Sequence, residues 1–277
     1  MDFIEKLTKN VTDAGEYDQG IYSSGIYTFK IIPEVEKTFS PFYISEIAGE
    51  GDTFTKAIHV MQWICGNTAY DGASPLGPSL PDKLIEYSFG KQQEHPINCT
   101  NRAVLLCDAL MTLGICAIPV FLLNYGTDPK YEDYLSAHCH VVVHLYFSER
   151  NCWVALDPSF NNYFVNTYNE LLNLIDIRDS IRKNKEVFAI DNATKEINAN
   201  GLKCLTLGLL DLSMFPGNDF GFRYNWSLQY HLLPAKYIKE LEYIAKNDKN
   251  ANQFYVNIAQ CRKLTILEFL SPPLFVK

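Results

Sequence analysis

Apolar positions along the chain first recur with a helical period. Phe54, Ala57, Ile58, Met61, Trp63, Ile64 and Cys65 form a stripe within residues 53–66, closed by Gly66, and predict a helix. The stretch "NTAYDGASPLGPSLPDK" (67–83) is rich in Gly, Pro, Ser and Asp and predicts a loop, with a short helix expected around 83–93. From Asn98 the helical stripe returns at Ala103, Leu106, Cys107, Leu110 and Leu113, with Gly114 placed to stop it.

The period then shortens. "CAIPVFLLNY" (116–125) predicts a strand, and "TDPKYEDYLS" an exposed loop. "HCHVVVHLYF" (138–147) and "CWVALDPS" (152–159) read as two more strands, joined across the polar "SERN" as an antiparallel hairpin. Helices followed by a block of strands point to an α+β fold rather than an alternating parallel sheet. Further on, helices are expected within 169–184 and 234–250, and a terminal strand over 262–273. The Asn-rich "AIDNATKEINANG" (189–201) is the best place for a boundary or flexible loop.

Composition narrows the class. Of 277 residues, 47% are hydrophobic and 20% charged, which leaves room for a sizeable core and excludes dominant disorder. A net charge of −8 argues against nucleic acid as a partner, because nothing would neutralise phosphates. "MDFIEKLTKN" carries acids where an export signal needs bases, and no apolar run reaches membrane-spanning length. The expectation is a cytoplasmic protein whose eight cysteines are reduced thiols; no CxxC pair suggests a structural zinc site. Each cysteine is by default a small buried hydrophobe.

Cys99 departs from that default by position. With Asn98 as N-cap it stands in the first turn of a helix, where unpaired N–H groups and the macrodipole favour a thiolate. Cys107 sits mid-helix on the buried stripe. A cysteine nucleophile needs a base and a group to orient it. His138, His140 and His144 share one face of the first hairpin strand. Asp157 lies on the partner strand, and symmetric pairing about the turn places it nearer His140 than His144.

These residues resemble the transglutaminase-like superfamily, within the papain-like cysteine-enzyme fold, and more narrowly bacterial transglutaminase-like domain proteins. "NCTNRAVLLCDALMTLGICAIPV", "CHVVVHLYF" and "CWVALDPSFNNYF" arrive in the family's order, and "KAIHVMQWICGNTAYDG" resembles its preceding helix and Trp…Tyr-Asp tail. The resemblance implies Cys99 as nucleophile, His140 as base and Asp157 as orienter, with Gln92 or Gln93 as an oxyanion donor. Trp63, His138, His144 and Trp153 are the pocket candidates, the tryptophans reading equally as core. Three positions depart from the family's pattern: Val142 replaces an aromatic, His144 an acid and Asn98 a glycine.

The resemblance further implies a papain-like core over 50–165, in which the nucleophile helix packs on an antiparallel sheet. An N-terminal extension (1–49) and an α/β C-terminal extension (166–277) would pack on it as one domain. The implied activity is acyl transfer through a thioester on a peptide or protein substrate, without cofactor or metal. Two rival readings stand beside it. One is a scaffold that keeps the residues but binds rather than catalyses. The other is a metal site on His138 and His140, with His144 about 13 Å further along the strand and too far to share the ion. His59 reads as a core or boundary histidine, and Asp211 as a buried, paired acid.

Overall fold

The computed structural model describes residues 5, 9, 11–20, 27–78, 80–91, 94–124, 138–209, 211–214, 230–247 and 262–275. Seven strands form one antiparallel sheet: β2 (Ala117–Asn124), β3 (His138–Phe147), β4 (Cys152–Asp157), β5 (Asn162–Val165), β6 (Phe188–Asp191), β7 (Asp211–Met214) and β8 (Tyr230–Leu232). Their order is β6-β5-β4-β3-β2-β7-β8, so the long strands β2 and β3 sit centrally. Every residue of β2 is buried. A strand that alternated apolar and polar residues would leave one face wet, whereas "AIPVFLLN" is apolar on both faces and is covered on both. A second, two-stranded parallel ladder joins β1 (Thr28–Phe29) to β9 (Leu274–Phe275).

Helices α1 (Pro33–Phe39), α2 (Ile44–Ala48), α3 (Thr53–Asn67), α4 (Pro81–Ser88) and α5 (Cys99–Met111) precede the sheet. α5 packs against β2 and β3, and α3 packs against α5. α3 begins where Asp52 accepts a hydrogen bond from Thr55 N–H (2.8 Å), and it runs through Gly66 to Asn67. α5 is buried along almost its whole length. It ends in a Schellman arrangement: Ile115 N–H donates to Leu110 O (3.1 Å) and Gly114 N–H to Met111 O (3.0 Å). Gly114 holds φ +71, a left-handed conformation that a side chain would strain, which is why the stop falls there.

The hairpin forms over "SERN" as expected, with Val143 opposite Leu156 and Phe147 opposite Cys152. α6 (Leu174–Arg182) starts later than the pattern suggested, because Asn173 caps it through Ile175 and Asp176 N–H. The Asn-rich stretch is neither boundary nor loose loop. β6 pairs there with β5, Asn192 Nδ2 donates to Ile58 O on α3 (2.8 Å), and Asn198 caps α7 (Ala199–Leu207). α7 is followed by Gly208, where a Cβ would stand 2.6 Å from Leu122 Cβ, so the chain lies directly on β2. α8 (Ala235–Asn247) occupies the expected helical stretch.

Residues 262–273 form no strand. They form a short helix, α9 (Ile266–Phe269), and the two strand residues come after it, in β9. The reason is local. Glu268 N–H donates to Thr265 Oγ1 (3.3 Å) and Thr265 N–H donates to the Glu268 carboxylate (3.0 Å). This capping box outweighs the β-rich composition of "TILEFL". α9 then seals the sheet: Phe269 and Trp153 sandwich His144, and Trp153 Nε1 donates to Ser271 O (3.0 Å). No helix among the described residues is long and apolar enough to cross a membrane.

Candidate functional site

The chain reaches Cys99 through a short parallel bridge between Tyr70 and Ile97. Ile97 N–H donates to Ala69 O (2.9 Å) and Asp71 N–H to Ile97 O (3.1 Å), tying the end of the α3 segment to the start of α5. Asn98 then caps α5. Its Oδ1 accepts from Asn101 N–H (3.2 Å) and its Nδ2 donates to Ser74 O (3.1 Å). A glycine here could do neither, so the departure at Asn98 secures both the helix and the 71–78 loop. Cys99 is half-buried in the first turn, where backbone N–H groups lack intrahelical partners.

His140 and Asp157 come from neighbouring strands. The register puts Asp157 across from Val142, one step beyond Val143↔Leu156, and so midway between His140 and His144. Register therefore does not favour His140, as symmetric pairing about the turn had suggested; packing decides. His144 is held between Trp153 and Phe269, with ring centroids 4.7 and 4.9 Å away. His140 Nε2 instead bonds Asp157 Oδ2 at 2.8 Å, with both side chains buried. Asp157 Oδ1 accepts from Ser159 N–H (2.9 Å), which fixes the carboxylate.

Cys99 lies near enough to the same imidazole to act on it electrostatically. Burial works against a charged ring, yet the Asp157 carboxylate, by charge and by hydrogen bond, and Cys99 hold His140 well above its ordinary value. An imidazole so placed can take the thiol proton and hand it on.

Arg102, one turn after Cys99, locks the two halves of this arrangement. It is buried and donates to Pro158 O (3.1 Å), Ser159 O (3.0 Å), Thr68 Oγ1 (3.1 Å) and Thr68 O (2.5 Å). The helix bearing Cys99 is thereby fastened to the turn directly after Asp157. Cys65 adds a thiol–carbonyl contact to Pro158 O (3.0 Å), and burial pushes that thiol up to about 11. Phe160 stands 6.0 Å from the His140 ring and 5.6 Å from Tyr70, and Cys204 of α7 lies within the electrostatic reach of His140, Asp157 and Cys99.

The remaining candidates are placed as follows. Trp63 joins an aromatic cluster with Phe42 (5.5 Å) and Phe89 (5.2 Å). Trp153 is buried against Tyr27 (4.8 Å) and His144, under the terminal segments. His138 opens β3 opposite Asn124, and its side chain lies outside the described residues, as do Gln92 and Gln93. Among the described residues no group of three His, Cys, Asp or Glu side chains converges as a metal set. His59 Nδ1 contacts Ala48 O (2.8 Å), away from Cys99. Sequence reasoning missed Arg102, Ser159 and Cys204. An arginine inside the apolar run "NCTNRAVLLC" was a readable signal for the first; "GLKCLTLG" offers none for the last.

A thiol at a helix start, facing a buried imidazole–carboxylate pair on adjacent antiparallel strands, defines the papain-like class of α+β folds. Residues 42–158 match the family model of the transglutaminase-like superfamily, and the chain carries a transglutaminase-like domain over that span. No curated protein and no solved structure matches the chain.

Proposed function

We propose that this protein performs cysteine-dependent acyl transfer on peptide or protein amides, in a reducing, cytoplasmic setting. The observation that carries the reading is the buried His140–Asp157 bond at 2.8 Å, with Cys99 at the start of α5 close enough to act on the same ring. In this reading His140 takes the Cys99 proton and sulfur adds to the amide carbonyl carbon. The tetrahedral intermediate collapses as His140 protonates the departing amine, leaving a thioester on Cys99. Water or an amine then adds, giving up its proton to His140, and the thiol is released. Water as acceptor makes the protein a hydrolase, by proteolysis or deamidation; an amine makes it a cross-linking acyltransferase. Asp157 holds the ring orientation and balances its charge throughout.

The test is turnover of a panel of peptides and glutamine donors, with and without an added primary amine, by wild type and Cys99→Ala. Wild type is expected to turn over at least one donor that the variant does not. Equal turnover by both would overturn the reading.

A further inference from the structure

At the end of the sheet away from Cys99, three segments enclose a cavity of about 550 Å³. Phe147, Arg150 and Cys152, at the turn from β3 to β4, form one wall. Asp176, Asp179, Ser180 and Lys183 form the second; their spacing puts them on one face of α6 and its C-terminal cap. The turn after β5 closes the third through Asn166, Glu170 and Leu172. Phe147 lies seven residues beyond His140 on β3, about 23 Å along the strand, so the cavity is separate from the thiol. We propose that this cavity binds a small zwitterion with a free ammonium and a free carboxylate, an amino acid or a short peptide. The proposal is independent of the acyl-transfer reading.

The chemistry follows once the paired charges of the lining are set aside. Asp179 is engaged by Lys183 (3.3 Å) and Arg182 (3.8 Å), and the Glu170 carboxylate accepts from Asn166 Nδ2 (2.7 Å). Asp176, Arg150 and Lys185 line the same cavity and form no ion pair among the described residues. Asp176 and Arg150 stand on different walls, so opposite charges border one space without meeting. A zwitterion bridges them: its ammonium donates to the Asp176 carboxylate, and its carboxylate accepts from Arg150, with Lys185 as a second cation.

The walls are fixed before a ligand arrives. Asn166 Oδ1 accepts from Tyr168 N–H (2.9 Å) and Glu170 N–H (3.0 Å), which ties that turn. Lys185 N–H donates to Ser180 O (2.8 Å) across Asn184, whose φ of +52 turns the chain back beside α6. The Arg150 guanidinium is held over the Phe147 ring, 5.0 Å from its centroid. Phe147 and Leu172 are themselves buried and give the cavity an apolar floor, suited to an aliphatic side chain between charged ends. Burial raises the Asp176 carboxyl above its ordinary value, and an ammonium beside it offsets that cost.

Titration of the protein with leucine and with leucyl-leucine, followed by ligand-observed NMR, tests the proposal, and the tighter binder identifies the source. The controls are the N-acetyl forms, which lack the ammonium, and the C-terminal amides, which lack the carboxylate. Each control is expected to bind at least about tenfold more weakly than its parent zwitterion. Asp176→Asn should erase the preference over the acetylated form, and Arg150→Gln should narrow the preference over the amide. Each substitution should leave the other preference in place, which a misfolded variant would not. Absence of saturable binding by both zwitterions would overturn the proposal, as would controls that bind as tightly as their parents. Preferences unmoved by both substitutions would overturn it too, since binding would then lie elsewhere on the protein.

Discussion

Arg102 on α5 donates to the carbonyl of Pro158 at 3.1 Å, so the residue after Asp157 is fastened to the helix that begins with Cys99. The same guanidinium serves Ser159 O, Thr68 O and Thr68 Oγ1. Arg102→Met keeps the apolar bulk and strands these acceptors away from water. A loss of about 3 kcal/mol is expected, because each unsatisfied buried group costs about 1–3 kcal/mol and partial relaxation recovers some of it. Urea denaturation of wild type and variant measures it, and superimposable transitions would show that the clamp contributes nothing.

Asp157→Asn preserves the shape of the His140 contact and removes the charge that, after burial, acts most strongly on the ring. The His140 titration is then expected to move to lower pH, followed through the imidazole C–H resonance. The stability consequence has a definite sign. His140 is raised above its ordinary 6.5 in the folded protein, so its contribution is fully present below that value. It is lost as pH rises through the raised value. The stability gap between wild type and Asp157→Asn should therefore be widest just below about pH 6 and narrow toward alkaline pH. A gap that widens with rising pH contradicts the pairing.

Much of this was readable in the sequence where the local signal and the tertiary outcome agree. Asn98 and Gly114 mark α5 at both ends because a cap and a left-handed turn need those residue types. The "SERN" hairpin follows from two β-rich runs separated by four polar residues. The choice of His140 over His144 was not readable from register, because Asp157 stands across from Val142. It depends on Phe269, over a hundred residues later, closing on His144. The short α9 was hidden for the opposite reason: a single Thr265–Glu268 box outweighs the strand preference of Thr265, Ile266 and Phe269.

His144 is buried, and neither ring nitrogen has a hydrogen-bond partner among the described residues. Burial pushes it down to about 3. Between that value and 6.5 the unfolded chain binds a proton that the folded protein refuses, so stability falls as pH drops through this window. The slope is at most about 1.4 kcal/mol per pH unit from this one group. His144→Phe retains a flat ring between Trp153 and Phe269 and removes the titration. Its unfolding free energy, measured at pH 7, 6 and 5, should decline less steeply than that of wild type. Parallel declines would place the acid sensitivity elsewhere.

The thiols offer a last contrast. Burial pushes Cys65 up to about 11 and Cys116 up to about 12, and Cys65 is further engaged with Pro158 O. Cys99 stands instead at the helix start, half-buried, with His140 beside it as a proton acceptor. Brief iodoacetamide treatment at about pH 6, where an ordinary thiol near 8.5 is almost wholly protonated, should modify Cys99 first, with Cys65 and Cys116 unmodified. Peptide mapping by mass spectrometry reads the order. His140→Ala removes the proton acceptor and should abolish the preference, reducing Cys99 labelling at least tenfold. Labelling spread evenly over the cysteines, or insensitive to His140→Ala, would mean that the Cys99–His140 contact does not activate the thiol.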